Sequence, residues 1–142
     1  TETQPVSLAS VPSHAVTNAG AFAVQNSASA TATGTTVARL TALTNVAQAV
    51  KASAGNVYGY HLSNQANPAQ DLYVHFYNVA FGSVTVGTTV PSRSYFLPGG
   101  AVIDTPLAIP AAFSTAISVA VSTTIAGGTA PTNTIYTHVE YL

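Results

Sequence analysis

Residues 50–77 read VKASAGNVYGYHLSNQANPAQDLYVHFY, and this stretch decides how the rest of the chain is laid out. Two runs with a period of two flank a polar turn. In the first, Tyr58, Tyr60 and Leu62 fall on one side, with Val57, Gly59, His61 and Ser63 on the other. In the second, Leu72, Val74 and Phe76 alternate with Tyr73, His75 and Tyr77. Successive side chains of a strand point to opposite faces, so this period predicts two half-buried β-strands. The intervening SNQANPAQD is rich in turn formers, and Pro68 cannot donate to a ladder.

Working outward towards the N-terminus, VARLTALT (37–44) alternates weakly, and Val46, Ala47, Ala49 and Val50 follow. A helix across 37–53 competes here because Ala and Leu favour helix. The threonines and valines pull the reading to strand. Towards the C-terminus, Val84 and Val86 precede a loop at Gly87–Pro91, and a strand over 93–97 ends sharply at Pro98-Gly99-Gly100. A short strand is expected over 101–105, then an irregular bend between Pro106 and Pro110, where a central strand cannot run. Ile117, Val119 and Val121 alternate cleanly with Ser118, Ala120 and Ser122. After a loop marked by Gly127, Gly128 and Pro131, Ile135, Thr137, Val139 and Tyr141 oppose Tyr136, His138 and Glu140. About eight short strands with turns at this spacing predict an all-β fold, an antiparallel β-sandwich of jelly-roll type.

Residues 1–36 differ in composition. SASATATGTT is almost pure Ser, Ala, Thr and Gly, and no charge lies between Glu2 and Arg39. Such a segment buries little for the entropy it loses on ordering. Val6, Leu8, Val11, Val16, Phe22 and Val24 are too many for a plain linker and too scattered for a core. They either add an edge strand or dock on a neighbouring subunit. We expect an extended, docked N-terminal arm (1–36) with Leu8, Val16 and Phe22 as contacts, followed by a sandwich domain (37–142).

Only 5% of residues are charged and the net charge is −1, against about 25% charged residues in ordinary soluble domains. Arg39, Lys51 and Arg93 stand far apart in sequence. Phosphate binding needs clustered cations, so no nucleic-acid partner is expected. No cysteine is present, which excludes disulfides and thiolate metal sites. No run reaches the roughly 18 apolar residues of a membrane helix, so no membrane partner is expected. The N-terminus shows no basic region followed by an apolar stretch, and the sequence opens at Thr1 with no methionine, which leads us to expect a processed end. A surface this poor in charge favours self-association, and interface cores are depleted of charge. The composition therefore suits a member of an assembly; the alternative is a secreted domain with a neutral surface.

Candidate chemistry is sparse. His61, His75 and His138 lie on predicted strands and could gather on one face, yet no short ligand spacing such as HxH occurs. His75 with Asp71 or Asp104 and a serine could be drawn as a triad, but serine is abundant and no GxSxG elbow exists. A glycosidase would need two of Asp71, Asp104 and Glu140 roughly 5–9.5 Å apart. GNVYG, PGG and AGG have no helix after them and read as turns rather than phosphate loops. We expect no enzyme, no catalytic residue, no cofactor and no metal. Tyr58, Tyr60, Tyr73 and Tyr77 are candidate interface anchors or sugar-stacking rings.

The order VKASAGNVYGYHLSN, DLYVHFYN, VGTTVPSRSYFLPGG, AFSTAISVAVST and a closing strand at Tyr141-Leu142 resembles a group of small tailed-phage virion structural proteins. The shared elements are a K-x-x-A-G turn, a strand ending in Asn, a YV-x-x-Y strand, a VGT-x-x-P loop and an FSTG-like segment. The likeness covers roughly the C-terminal two-thirds and departs at Ala116, where glycine is expected, and in the loop 123–133, which lacks acidic residues. The resemblance implies a β-sandwich on a virion with no catalytic residues: a capsid decoration (cement) protein on the capsid surface. Its partners would be the major capsid protein or other virion proteins. A homotrimer is expected because capsid lattices offer threefold positions. The alternative is a tail- or fibre-associated carbohydrate-binding module.

Overall fold

The computed structural model describes residues 34–142. Leu8, Val16 and Phe22, and with them the expected arm contacts, lie outside the described residues. Eight strands form the domain: β1 (Thr36–Leu43), β2 (Gln48–Lys51), β3 (Gly55–Ser63), β4 (Leu72–Tyr77), β5 (Arg93–Leu97), β6 (Val102–Phe113), β7 (Ile117–Ser122) and β8 (Ile135–Tyr141). They make two antiparallel four-stranded sheets, ordered β1-β8-β3-β6 and β2-β7-β4-β5. The ladders are nested: β4 pairs β5, β3 pairs β6, β2 pairs β7 and β1 pairs β8. Residues 34–142 thus form one long hairpin, folded back at residues 78–92 and rolled up, which is the double Greek-key order of a jelly roll.

The alternation seen in the sequence supplies the core. Leu72, Val74 and Phe76 of β4 and Ile117, Val119 and Val121 of β7 face Leu40, Leu62, Ile135 and Val139 of the opposite sheet. Tyr60, Phe76, Tyr95 and Phe113 fill one end, with ring centroids 4.6–6.4 Å apart. Burying each such ring or branched side chain contributes roughly 1.5–3 kcal/mol, which replaces any need for disulfides. Residues 37–53 form two strands and no helix, because β1 runs along β8 from Thr36 to Leu43 and β2 along β7.

Two expectations need correction. A register shift between Val57 and Gly59 makes Tyr58 the extra residue of a β-bulge. The bulge moves Val57 into the core with Tyr60 and Leu62, so Tyr58 and Tyr60 do not share a face. The strand expected over 101–105 continues as β6 to Phe113, and the bend expected between Pro106 and Pro110 stands inside it as a register break: Gly59 pairs Pro106 and Val57 pairs Ala111, leaving residues 107–110 opposite Tyr58 alone. Two prolines fit because β6 is the edge of its sheet, where a missing N–H leaves no partner stranded.

The SNQANPAQD turn is more than a reversal. Asn64 and Asn67 are buried there. Asn64 Nδ2 donates to the carbonyls of Gln70 (2.8 Å) and Pro98 (3.1 Å). Asn67 Nδ2 donates to Asn64 Oδ1 (2.9 Å) and to the Asn133 carbonyl (3.0 Å), while Asn67 Oδ1 accepts from the Asn133 N–H (2.7 Å). One end of the sandwich is therefore cross-linked through three connections by side-chain amides.

Candidate functional site

The outer faces of the two sheets differ sharply. On the second sheet, residues that point away from the core are still buried. His75, Tyr77, Ser118, Ala120 and Ser122 lie beneath the 78–92 and 123–134 loops, with Val79, Val84 and Val86 packed on Tyr77, Ala120 and Ala47. Gly87 holds φ at +89°, and an added Cβ would lie 2.7 Å from the Gly128 nitrogen. That position needs glycine, and it lets the two loops touch backbone to backbone. Asn45 Nδ2 donates to the Gly128 carbonyl at 2.6 Å, tying in the β1–β2 turn as well.

His75 is the one imidazole under this cover. Ser122 Oγ donates to the Thr124 carbonyl (2.6 Å), so at 2.8 Å it accepts from His75 Nε2–H. Nδ1 must then accept from the Ser94 hydroxyl, also at 2.8 Å. The ring is held neutral, and burial pushes its pKa below the usual imidazole value. A Ser–His contact is the start of a nucleophilic dyad. Here both partners of the ring are hydroxyls, and neither supplies the negative charge that would balance an imidazolium. The arrangement acts as a cross-link between β4, β5 and β7.

A cavity of ≈ 250 Å³ lies over His75 and Tyr77, walled by Gly87–Pro91 and Ile125–Gly127. The loops above it expose Val46, Phe81, Val90 and Ile125. No Asp, Glu, Lys or Arg occurs in 44–47, 78–92 or 123–134. This is an apolar, uncharged face held in shape by its own backbone contacts.

The first sheet presents the opposite chemistry. Strand order brings Arg39 (β1), His138 (β8), His61 (β3) and Asp104 (β6) into one cross-strand row. His61 Nδ1 donates to Asp104 Oδ1 at 2.8 Å. The His61 and His138 rings are 5.7 Å apart, and the Tyr136 hydroxyl bonds His138 Nε2. Partial burial, the Arg39 charge and His61 all lower the His138 pKa, against a smaller upward pull from Asp104. In the next row the Glu140 carboxylate leans over Gly59, which has no side chain, and a dent of ≈ 300 Å³ lies beside them, bordered by Val37, Arg39, His61, Asp104, Pro106 and His138.

The three strand histidines do not gather. His61 and His138 meet, but His75 belongs to the other sheet. Among the described residues no group of three or more His, Asp or Glu side chains is arranged to hold a metal ion. Asp104 and Glu140 both border the dent, whereas Asp71 accepts from the Gly99 N–H at the turn end. The four candidate tyrosines scatter too. Tyr60 (8% exposed) is core and Tyr77 (1%) is sealed under the loops, so neither offers a ring to a partner. Tyr58 is half-buried at the bulge. Tyr73 is half-buried on the outer face of the second sheet, 5.4 Å from the exposed ring of Phe96. The Arg39–His138–His61–Asp104 row escaped the sequence reading because strand order was needed to find it. The outward parity of His138 and Glu140 was its visible signal. No protein-family model, curated protein or solved structure matches this chain.

Proposed function

We propose that this chain is a non-enzymatic structural component of a tailed-phage virion, a capsid decoration protein that stabilises the head. The observation that carries the reading is the charge-free loop face of the second sheet. Val46, Val90 and Ile125 are exposed there on loops braced by Gly87, Gly128 and Asn45. Three such side chains contribute about 5 kcal/mol gross when covered, before association costs. Repetition over a capsid lattice multiplies a modest single contact by avidity. The resemblance of residues 50–142 to small virion proteins supports the same reading. The major capsid protein is the partner of this face, and the segment 1–36 adds a second contact.

The test is saturable binding of the full-length chain to particles that lack it. Val90→Asp and Ile125→Asp should abolish binding without changing the melting temperature, and deletion of residues 1–30 should abolish it with the sandwich still folded. Wild-type-like decoration by these variants would overturn the reading. A second reading, a carbohydrate-binding module, has one observation in its favour: the Tyr73–Phe96 pair, an apolar platform of the kind sugars stack on. Glycan binding lost in Tyr73→Ala and Phe96→Ala, with no binding to particles, would put it first.

A further inference from the structure

The charged face of the first sheet plays no part in that docking, because it lies on the opposite side of the sandwich. Three of the seven charged residues of the chain stand on it: Arg39, Asp104 and Glu140. Cross-strand pairing arranges its side chains in rows. One holds Tyr136, Ser63 and Val102; the next holds Arg39, His138, His61 and Asp104; the third holds Val37, Glu140, Gly59 and Pro106. The middle row runs from a cation at one edge of the sheet to an anion at the other, over three strand spacings of about 4.8 Å. Along the two central strands the sizes are paired as well. The large Tyr136 of β8 stands beside the small Ser63 of β3, His138 stands beside His61, and the Glu140 carboxylate leans over its own Gly59.

We propose that this face pairs with a second copy of the chain about a twofold axis parallel to the strands, passing between β8 and β3. Such an axis reverses each row. It sets Arg39 against the partner's Asp104 and Asp104 against the partner's Arg39. Tyr136 of each copy covers the other's Ser63, while each Glu140 stays over its own Gly59. The two middle rows close as His138 on His61 in both directions. A twofold axis along the rows would instead oppose Arg39 to Arg39 and Asp104 to Asp104, so the charges at the two ends of the row select the first arrangement. The contact is isologous, as closed pairs require. It replaces the threefold guess, which rested on the capsid lattice alone, and leaves both loop faces pointing outward. It stands whether or not the virion reading does.

The exposed ends of the row make a clean test, because neither side chain supports the core. Asp104 is 74% exposed, and Arg39 is exposed as well. Sedimentation equilibrium of the full-length chain at about pH 7.5, where imidazoles are mostly neutral, should give a dimer. Arg39→Asp and Asp104→Arg should each weaken it by about tenfold or more. The double swap should restore pairing to within about threefold of wild type, because the pair is remade with its signs exchanged. Ser63→Arg, which fills the hollow facing Tyr136, should leave a folded monomer. Three results would each overturn the proposal. One is a full chain that stays monomeric at about 100 µM, whether residues 1–33 or another protein take the face. Another is an oligomer that ignores both charge reversals. The last is a double swap as weak as its parents.

Discussion

Thr137 is the most informative residue to change. It is fully buried on β8 between Leu40 and Leu62, and its hydroxyl is the one buried side-chain polar atom among the described residues without a hydrogen-bond partner. A buried donor left unpaired costs about 1–3 kcal/mol. Thr137→Val keeps the shape, the β-branch and the strand propensity, and replaces the hydroxyl by a methyl. Removing the penalty and adding apolar burial should raise unfolding free energy by about 1–2 kcal/mol. For a domain of this size that is a rise of about 4–8 °C in melting temperature. Thr137→Ala removes the hydroxyl and a methyl together, and should fall about 1–2 kcal/mol below the valine variant because it leaves a void. Urea unfolding of wild type and both variants, with equal m-values, gives the numbers. A valine variant no more stable than wild type would mean that Thr137 faces water or has a partner. Tyr136, His138 and Glu140 would then be misplaced too, since strand parity ties them to Thr137.

Other changes probe separate parts of the structure. Asn67→Ala should cost about 2–4 kcal/mol in urea unfolding, because it unties two hydrogen bonds between the β3–β4 turn and the β7–β8 loop and one to Asn64 within the turn; exposed Gln65→Ala should stay within about 0.5 kcal/mol. Phe76→Ala, at the centre of the aromatic cluster, should cost about 3–5 kcal/mol in the same assay. Pro106→Ala should change stability by less than about 1 kcal/mol, whereas proline at Val121 of central β7 should prevent folding, as circular dichroism would show. His75 is held neutral with a lowered pKa, so below about pH 6.5 the unfolded chain binds a proton that the folded chain refuses. Stability should therefore be full above that pH and fall as pH drops below it, and His75→Gln should flatten the slope between about pH 5.5 and 7.

How much of this was legible in the sequence depends on the range of the interaction concerned. The β3–β4 hairpin, β7 and β8 were readable because period-two alternation is local and their apolar sides do face the core. The bulge at Tyr58 was not, since a single extra residue is defined only by the strand opposite, Tyr141 and Glu140 of β8. Pro106 and Pro110 marked the register break of β6 correctly, but nothing local says that the strand lies at an edge and resumes at Ala111. His75 and Tyr77 alternate away from the core and would face water in a bare sandwich. They are buried because the 78–92 and 123–134 loops fold over them, which only the Gly87–Gly128 approach reveals. The charge-poor surface was plain from composition. The charged row was hidden, because it takes one residue from each of four strands that the jelly-roll winding brings together.

The central proposal, that the chain serves a virion as a structural part, is met most directly by quantitative mass spectrometry of phage particles purified from cells that produce the chain, with antibody labelling to locate it. The account predicts a copy number comparable to that of the major capsid protein and label over the head. Absence from particles, or a few copies confined to the tail tip, would contradict it.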